Sequence, residues 1–248
     1  MTMLSIKSFP LNSKSSAYIY PVKNNLRFLI PLVVIALVAF SFYCFSIMQV
    51  KDTPLPTAQQ NMVEEEDCPP EGMTHAANLQ ELNRLKNRAV FPEETDFDKT
   101  LTLQKMLEPG NDQDRWSTNK AAEVTGYVAD IKIGGVETCN CKAKDPDHRD
   151  THIELVLNAM NFTNTQKVIV EVTPRMRNIM QAKGEDWSTR ALRDKFLGRL
   201  VKVKGWLLFD SEHAHKAENT NPGNERNWRA TSWEIHPIVS IETVNRSR

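Results

Sequence analysis

Residues 167–209 read KVIVEVTPRMRNIMQAKGEDWSTRALRDKFLGRLVKVKGWLLF, and the order of periodicities in this stretch decides the fold. At its start Val168, Val170 and Val172 recur at every second position, as in a half-buried strand. At its end Val201, Val203, Leu207 and Phe209 take one face, with Lys202 and Lys204 on the other. Between them, from Pro174 to about Phe196, the spacing turns helical. Met176, Ile179 and Met180 form one apolar stripe, and Trp187, Leu192 and Phe196 form another. Gly184 separates the two, and Asp186-Trp-Ser-Thr-Arg reads as a helix restart with a capping residue.

Working outward, three more strand-like runs appear. Glu123–Ile133 comes first, with Gly126 suited to a bulge or sharp bend. His152–Asn158 follows, with Ile153, Leu155 and Leu157 on one face. Arg229–Ile235 is the last, with Trp233 and Ile235 inward, and it continues past Pro237 into IVSIET. The order is three strands, a helix, then two strands. That is the order of an OB-fold, a small Greek-key barrel whose helix plugs one end. The expected class is thus mainly β with α, an OB-like five-stranded barrel over residues 121–248. Another small barrel or an α+β sandwich is the alternative.

Ahead of the barrel, residues 75–120 read as a helical brace. Leu79, Leu82 and Leu85 make a narrow stripe behind a cap at Asn78. A second short helix over Leu101–Leu107 ends at Pro109-Gly110.

The N-terminal part belongs to a different solvent. Residues 28–50, FLIPLVVIALVAFSFYCFSIMQV, are 23 residues without a charge. A helix needs about 20 such residues to cross a bilayer core. The run is too long, and ends in residues too bulky, for a cleaved signal peptide. It is expected to be a single transmembrane anchor in the lipid bilayer, with Cys44 as an apolar filler. Lys7, Lys14, Lys23 and Arg27 precede it, and the acids Glu64, Glu65, Glu66 and Asp67 follow. The positive-inside rule therefore puts residues 1–27 in the cytoplasm and the C-terminal domain outside it, in the periplasm if the cell is bacterial. Residues 51–74, with four prolines and little apolar content, read as a flexible stalk.

Charge narrows the partners. The whole chain balances 31 bases against 31 acids. Because residues 1–50 hold four bases and no acid, the remainder is net acidic. A basic cluster over residues 171–204 reads as the solvated face of a helix and an edge strand. Nucleic acid is not the expected partner.

The segments VTGYV, GGVETCNCKAKD, DTHIEL, VEVTPRM, ALRDKFLGRLVKVKGW and NWRATSWEIHP resemble an OB-fold-like domain family of bacterial membrane-anchored or exported proteins. The resemblance spans roughly residues 80–243. It implies the barrel fold and supplies no catalytic residue.

In an OB-like barrel the binding face is the outer side of strands two and three. Here that face offers His152, Glu154 and Glu171 as ligand-binding residues. The loops beside it carry chemistry. The loop after strand one holds Cys139, Cys141, Asp145, Asp147, His148 and Asp150. The loop after strand four holds Asp210, Glu212, His213, His215 and Glu218. Cys and His are the ligands Zn2+ prefers. Cys139, Cys141, His148, His213 and His215 are therefore candidate zinc ligands. Outside the cytoplasm the cysteines have another course, a disulfide between Cys139 and Cys141 or between one of them and Cys68; free thiols are the third. His236 reads as a hydrogen-bonded structural histidine. Two functions follow. One is a membrane-anchored, extracytoplasmic binding or scaffold module for a protein partner or small ligand. The other is a metal-dependent hydrolase of the phosphodiesterase kind, using the loop residues with Arg175 or Arg229 as charge stabiliser.

Overall fold

A computed structural model of the chain describes residues 68–245. The expected cytoplasmic tail 1–27, the expected anchor 28–50 and residues 51–67 of the expected stalk lie outside the described residues. Among the described residues no helix is long and apolar enough to cross a membrane.

Two helices come first, α1 (Ala77–Lys86) and α2 (Leu103–Leu107). Three strands follow: β1 (Ala121–Ile133), β2 (Thr151–Val156) and β3 (Val168–Val172). Then come α3 (Pro174–Ala182) and α4 (Thr189–Phe196), and finally β4 (Leu200–Phe209) and β5 (Trp233–Thr243). The strands close into a five-stranded mixed barrel in the order β1-β2-β3-β5-β4. All ladders are antiparallel except β3 against β5, where Val170 faces Ile235 in parallel.

β1 serves two neighbours, and this is what curls the sheet. Ala121–Tyr127 pairs with β4, and Tyr127–Ile133 pairs with β2. A bulge between Val128 and Asp130 inserts one residue and shifts the phase. Ala122, Val124 and Val128 face the core before it, and Ile131 after it. Gly126 faces inward opposite α2. A Cβ there would come within 2.4 Å of Leu103 Cδ2, so the missing side chain is what lets Leu103 enter the core.

The helical interruption sits in the expected slot. Thr173 caps α3 by accepting from Met176 N, with Pro174 in the first turn. Ser188 caps α4 by accepting from Ala191 N. Gly184, at φ +83°, breaks the path between them. Met176, Met180, Trp187, Leu192 and Phe196 all join the core cluster.

Two expectations for α1 need correction. Ala76, not Asn78, precedes the first turn of α1, and its side chain makes no capping bond. The buried face of α1 is Leu82, Asn83 and Lys86 rather than a leucine stripe, because the helix docks on a polar loop. Leu101, Leu103 and Met106, from the stretch read as a brace, belong to the barrel core.

The stalk, expected to run through residue 74, gives way to packed chain at Cys68. Cys68 is bonded to Cys141 in the β1–β2 loop, with 5.8 Å between their Cα atoms. Met73 N donates to Thr138 O at 2.8 Å, and Asn83 Nδ2 to Glu71 O at 2.8 Å. Composition misleads here because the segment is ordered by a crosslink and by backbone hydrogen bonds, not by burying apolar side chains.

Candidate functional site

The outer face of β2, β3 and β5 lies under the protein's own loops. β2 places His152 opposite Glu171 of β3, and Glu154 opposite Ile169. Trp233 and Ile235 of β5 point into the core, so Glu234 and His236 come out on the same side as Glu171. The long β4–β5 connection then crosses this face. Ala230 N donates to Lys167 O at 2.9 Å, fixing the crossing segment to the start of β3. Trp228 sits at the edge, its ring centroid 5.5 Å from that of His152 and 6.5 Å from that of His213.

The expected ligand-binding residues are therefore on the expected side but not open to solvent. His152, Glu154 and Glu171 are all buried. Glu154 accepts from Lys132 Nζ at 2.5 Å and Lys167 Nζ at 2.8 Å. Burial pushes its carboxyl up, but these two hydrogen bonds outweigh burial and hold it below its usual value. His152 Nδ1 lies 2.9 Å from Glu171 Oε1. Burial, helped by the charge of Lys132, pushes this imidazole down to about 4, so it is neutral at ordinary pH.

Beside them lies a buried ionic network that joins five segments. Lys86, from the last turn of α1, reaches Glu137 Oε2 at 2.6 Å and Asp210 Oδ1 at 3.9 Å. Burial disfavours its charge, but Glu137 and Asp210 outweigh that and raise it well above the usual lysine value. Arg229 donates to Glu234 and lies 3.3 Å from Asp210 Oδ2. His213 Nδ1 is 2.6 Å from the same oxygen. Asp210 is held well below its usual value: burial opposes ionisation, and the His213 hydrogen bond with Lys86 and Arg229 overcomes it.

Next to this paired part is a less satisfied one. Asn140 Nδ2 donates to Asp150 Oδ2 at 2.8 Å, while Asp150 Oδ1 has no partner. His236 Nδ1 lies 3.4 Å from Glu171 Oε2 and from Glu234 Oε2, while its Nε2 has no partner. Burial pushes both Asp150 and Glu171 upward, Glu171 strongly, with Glu234 adding to it. His236 is shifted the other way from its burial, raised by Glu234, Glu171 and Asp150.

The five expected zinc ligands do not converge. Cys141 is consumed by the disulfide with Cys68, which settles the cysteine pairing and removes that thiolate. His148 stands on a 3-10 turn, 3.7 Å from Asp145, and lines a cleft with Arg177 and Trp187. His215 is exposed, and His213 is held on Asp210. Among the described residues, two other sets bring three donor atoms within 4.8 Å of one another: Glu137, Cys139 and Asp150, and Asp150, Glu171 and His236. Cys139 alone of the five enters such a set. Among the described residues it is the free cysteine, buried, with its thiol 3.5 Å from Glu137 Oε2 and 3.8 Å from Asp150 Oδ2. Burial and the nearby Asp150 push that thiol well above its usual value.

Comparison with models of known protein families and with curated proteins finds no match.

Glu137, Glu234 and Lys86 have no part in the site that the sequence suggests, and His236 reads there as structural. A signal existed for two of them. In WEIHP the inward Trp233 and Ile235 force Glu234 and His236 outward, onto the face of Glu171. Lys86 gave none, since a lysine at the end of an amphipathic helix ordinarily faces water.

Proposed function

We propose that this chain is a membrane-tethered, extracytoplasmic module of OB-like topology that binds or scaffolds a partner and does not catalyse a reaction. One observation carries this reading. The groups that could act on a substrate at the barrel's outer face, Asp150, His152, Glu171, Arg229, Glu234 and His236, are all buried beneath the chain's own β1–β2 and β4–β5 segments. A hydrolase needs an activated water, a base and a charge stabiliser that a substrate can reach. Here such groups face one another. The Cys68–Cys141 bond supports the location, since disulfides persist in oxidising compartments. The uncharged run 28–50 supplies the tether. The strand order and the helices between β3 and β4 support the OB-like assignment, and with it kinship to bacterial exported proteins of that topology.

Two measurements test this together. Protease added to intact spheroplasts should digest the domain and spare a tag at residue 1; a protected domain defeats the topology. The purified chain, supplied with Zn2+ or Mn2+, should leave a generic phosphodiester intact. Hydrolysis that chelation abolishes would replace this reading with the hydrolase.

A further inference from the structure

The buried network sets its carboxyl groups against two permanent cations, with His213 and His236 raised beside them. Five carboxylates belong to it: Glu137, Asp150, Glu171, Asp210 and Glu234. Lys86 is paired with Glu137 and Asp210, and Arg229 with Asp210 and Glu234. Asp150 and Glu171 have no lysine or arginine partner among these pairs. Both are buried, and isolated buried carboxylates are too costly to remain so without a counter-charge. His236, raised beside them, is the one cationic side chain that faces both, and burial pushes both carboxyls up toward the neutral form.

The same two residues, with His236, are a set whose donor atoms lie within 4.8 Å of one another. Asp150 Oδ1 and His236 Nε2, both fully enclosed, are left without a hydrogen-bond partner. Asp150 Oδ1, an orphaned acceptor on a buried member of this set, is the atom that a bound cation would satisfy. Around a tetrahedral ion with bonds of about 2.1 Å, donor atoms stand about 3.4 Å apart, so the three side chains draw together by up to about 1.4 Å to seat it.

We propose that Asp150, Glu171 and His236 hold a divalent transition-metal ion of the zinc class, which locks the starts of β2 and the end of β3 to β5 beneath the covering loops. The donor set chooses the class. An imidazole with two carboxylates suits Zn2+, whereas Ca2+ takes six to eight oxygens and Mg2+ keeps several waters. Glu234 Oε2, 3.4 Å from His236 Nδ1, flanks the same ring nitrogen as Glu171 Oε2. The inference is independent of the binding-module reading, because a structural ion needs neither substrate nor access.

The test uses the full chain purified in detergent without a polyhistidine tag. Elemental analysis should find zinc-class metal at a stoichiometric level, or the chain should take up Zn2+ to that level and melt higher with it than with a chelator. Asp150→Asn and His236→Gln should each lose the ion, and Cys139→Ser should keep it. A protein loaded with Co2+ should show the d–d bands of oxygen and nitrogen ligation without thiolate charge transfer. That spectrum decides the matter even if both ligand variants fail to fold. No uptake of Zn2+ or Co2+ by the wild-type chain overturns the proposal, leaving protons as the counter-charge. Retention of the ion by either ligand variant overturns it too. Thiolate charge transfer moves the ion to Glu137, Cys139 and Asp150 and overturns the ligand assignment.

Discussion

Arg229 and Asp210 form an ion pair 3.3 Å apart in which the two side chains are 0% and 1% exposed. They come from opposite ends of the β4–β5 connection, so the pair holds that connection down at both its ends. A buried pair of this kind adds little beyond a well-packed apolar replacement, but removing one partner strands the other.

Arg229→Ala should therefore cost about 3–5 kcal/mol of unfolding free energy, because Glu234 loses its cationic partner and Asp210 keeps only Lys86 and His213. Arg190, whose side chain is 93% exposed beside Asp194, is the contrast. Its replacement by Ala should shift stability by less than about 0.5 kcal/mol. Urea unfolding of the two variants checks the difference. Equal effects would mean that the β4–β5 connection is not held by this pair.

Glu154 makes stability depend on pH in a defined direction. Its folded value is lowered, so its contribution is present above the ordinary glutamate range and is lost as pH falls through the folded value. Glu154→Gln should cost about 2 kcal/mol at neutral pH through the loss of charge-assisted hydrogen bonds. The gap from wild type should close as the solution is acidified below the usual carboxylate range. Thermal melts of both proteins across that range read it directly. A gap that widens in acid would show the sign to be wrong.

The disulfide spans a sequence separation of 73 residues. Cys141→Ser, or reduction, should lower stability by about 2–5 kcal/mol. A chain begun at residue 75 lacks Cys68 and the hydrogen bonds of residues 68–73, and should be destabilised at least as much as Cys141→Ser. Cys139 should resist alkylation until the domain unfolds, being buried with its thiol raised. Rapid labelling of Cys139 in the folded chain would contradict that.

Gly205 is required by contact rather than by backbone angle. A Cβ there would meet Pro237 O at 2.4 Å, Ile235 Cγ2 at 2.6 Å and Ile238 Cα at 2.7 Å. Gly205→Ala should cost about 1–3 kcal/mol or more, since two of these three neighbours are backbone atoms. Gly135→Ala, with nothing within 4 Å, should be close to neutral. Chemical denaturation of both variants separates the two cases, and a harmless Gly205→Ala would mean that β4 and β5 can move apart here.

The barrel was legible because its signals are local. Alternation in 168–172 and 201–209, and the helical stripes between them, fix which side of each element is apolar, and the core uses those residues. The β1 bulge was legible only in part. Gly126 suggested a bend, but the extra residue lies between Val128 and Asp130, where no residue type marks it. The site was harder, because its cover is not local. Nothing in DSEHAHKAENTNPGNERN states that the following Trp228 and Arg229 cross β2 and β3 rather than stand beside them. Cysteine spacing left three outcomes open, since Cys68 lies far from Cys141 in sequence and only the fold makes them neighbours. Lys86 was hidden by its context, its charge being accommodated by Glu137 from a loop about fifty residues away.

The bond between Cys68 and Cys141 also sets a mechanical path. Tension arriving along the chain from residues before 68 crosses to the β1–β2 loop through sulfur. It bypasses α1, α2 and β1, which lie within the closed loop and carry none of the pull. The load next meets β2, which is laddered to β1 on one edge and to β3 on the other. Peeling from the N-terminal end, the weak mode for a helical entry segment, is thereby replaced by loading of a doubly bonded interior strand. A thiol reductant would return the domain to the weaker mode, and single-molecule pulling in its presence and absence would register the change as a drop in rupture force.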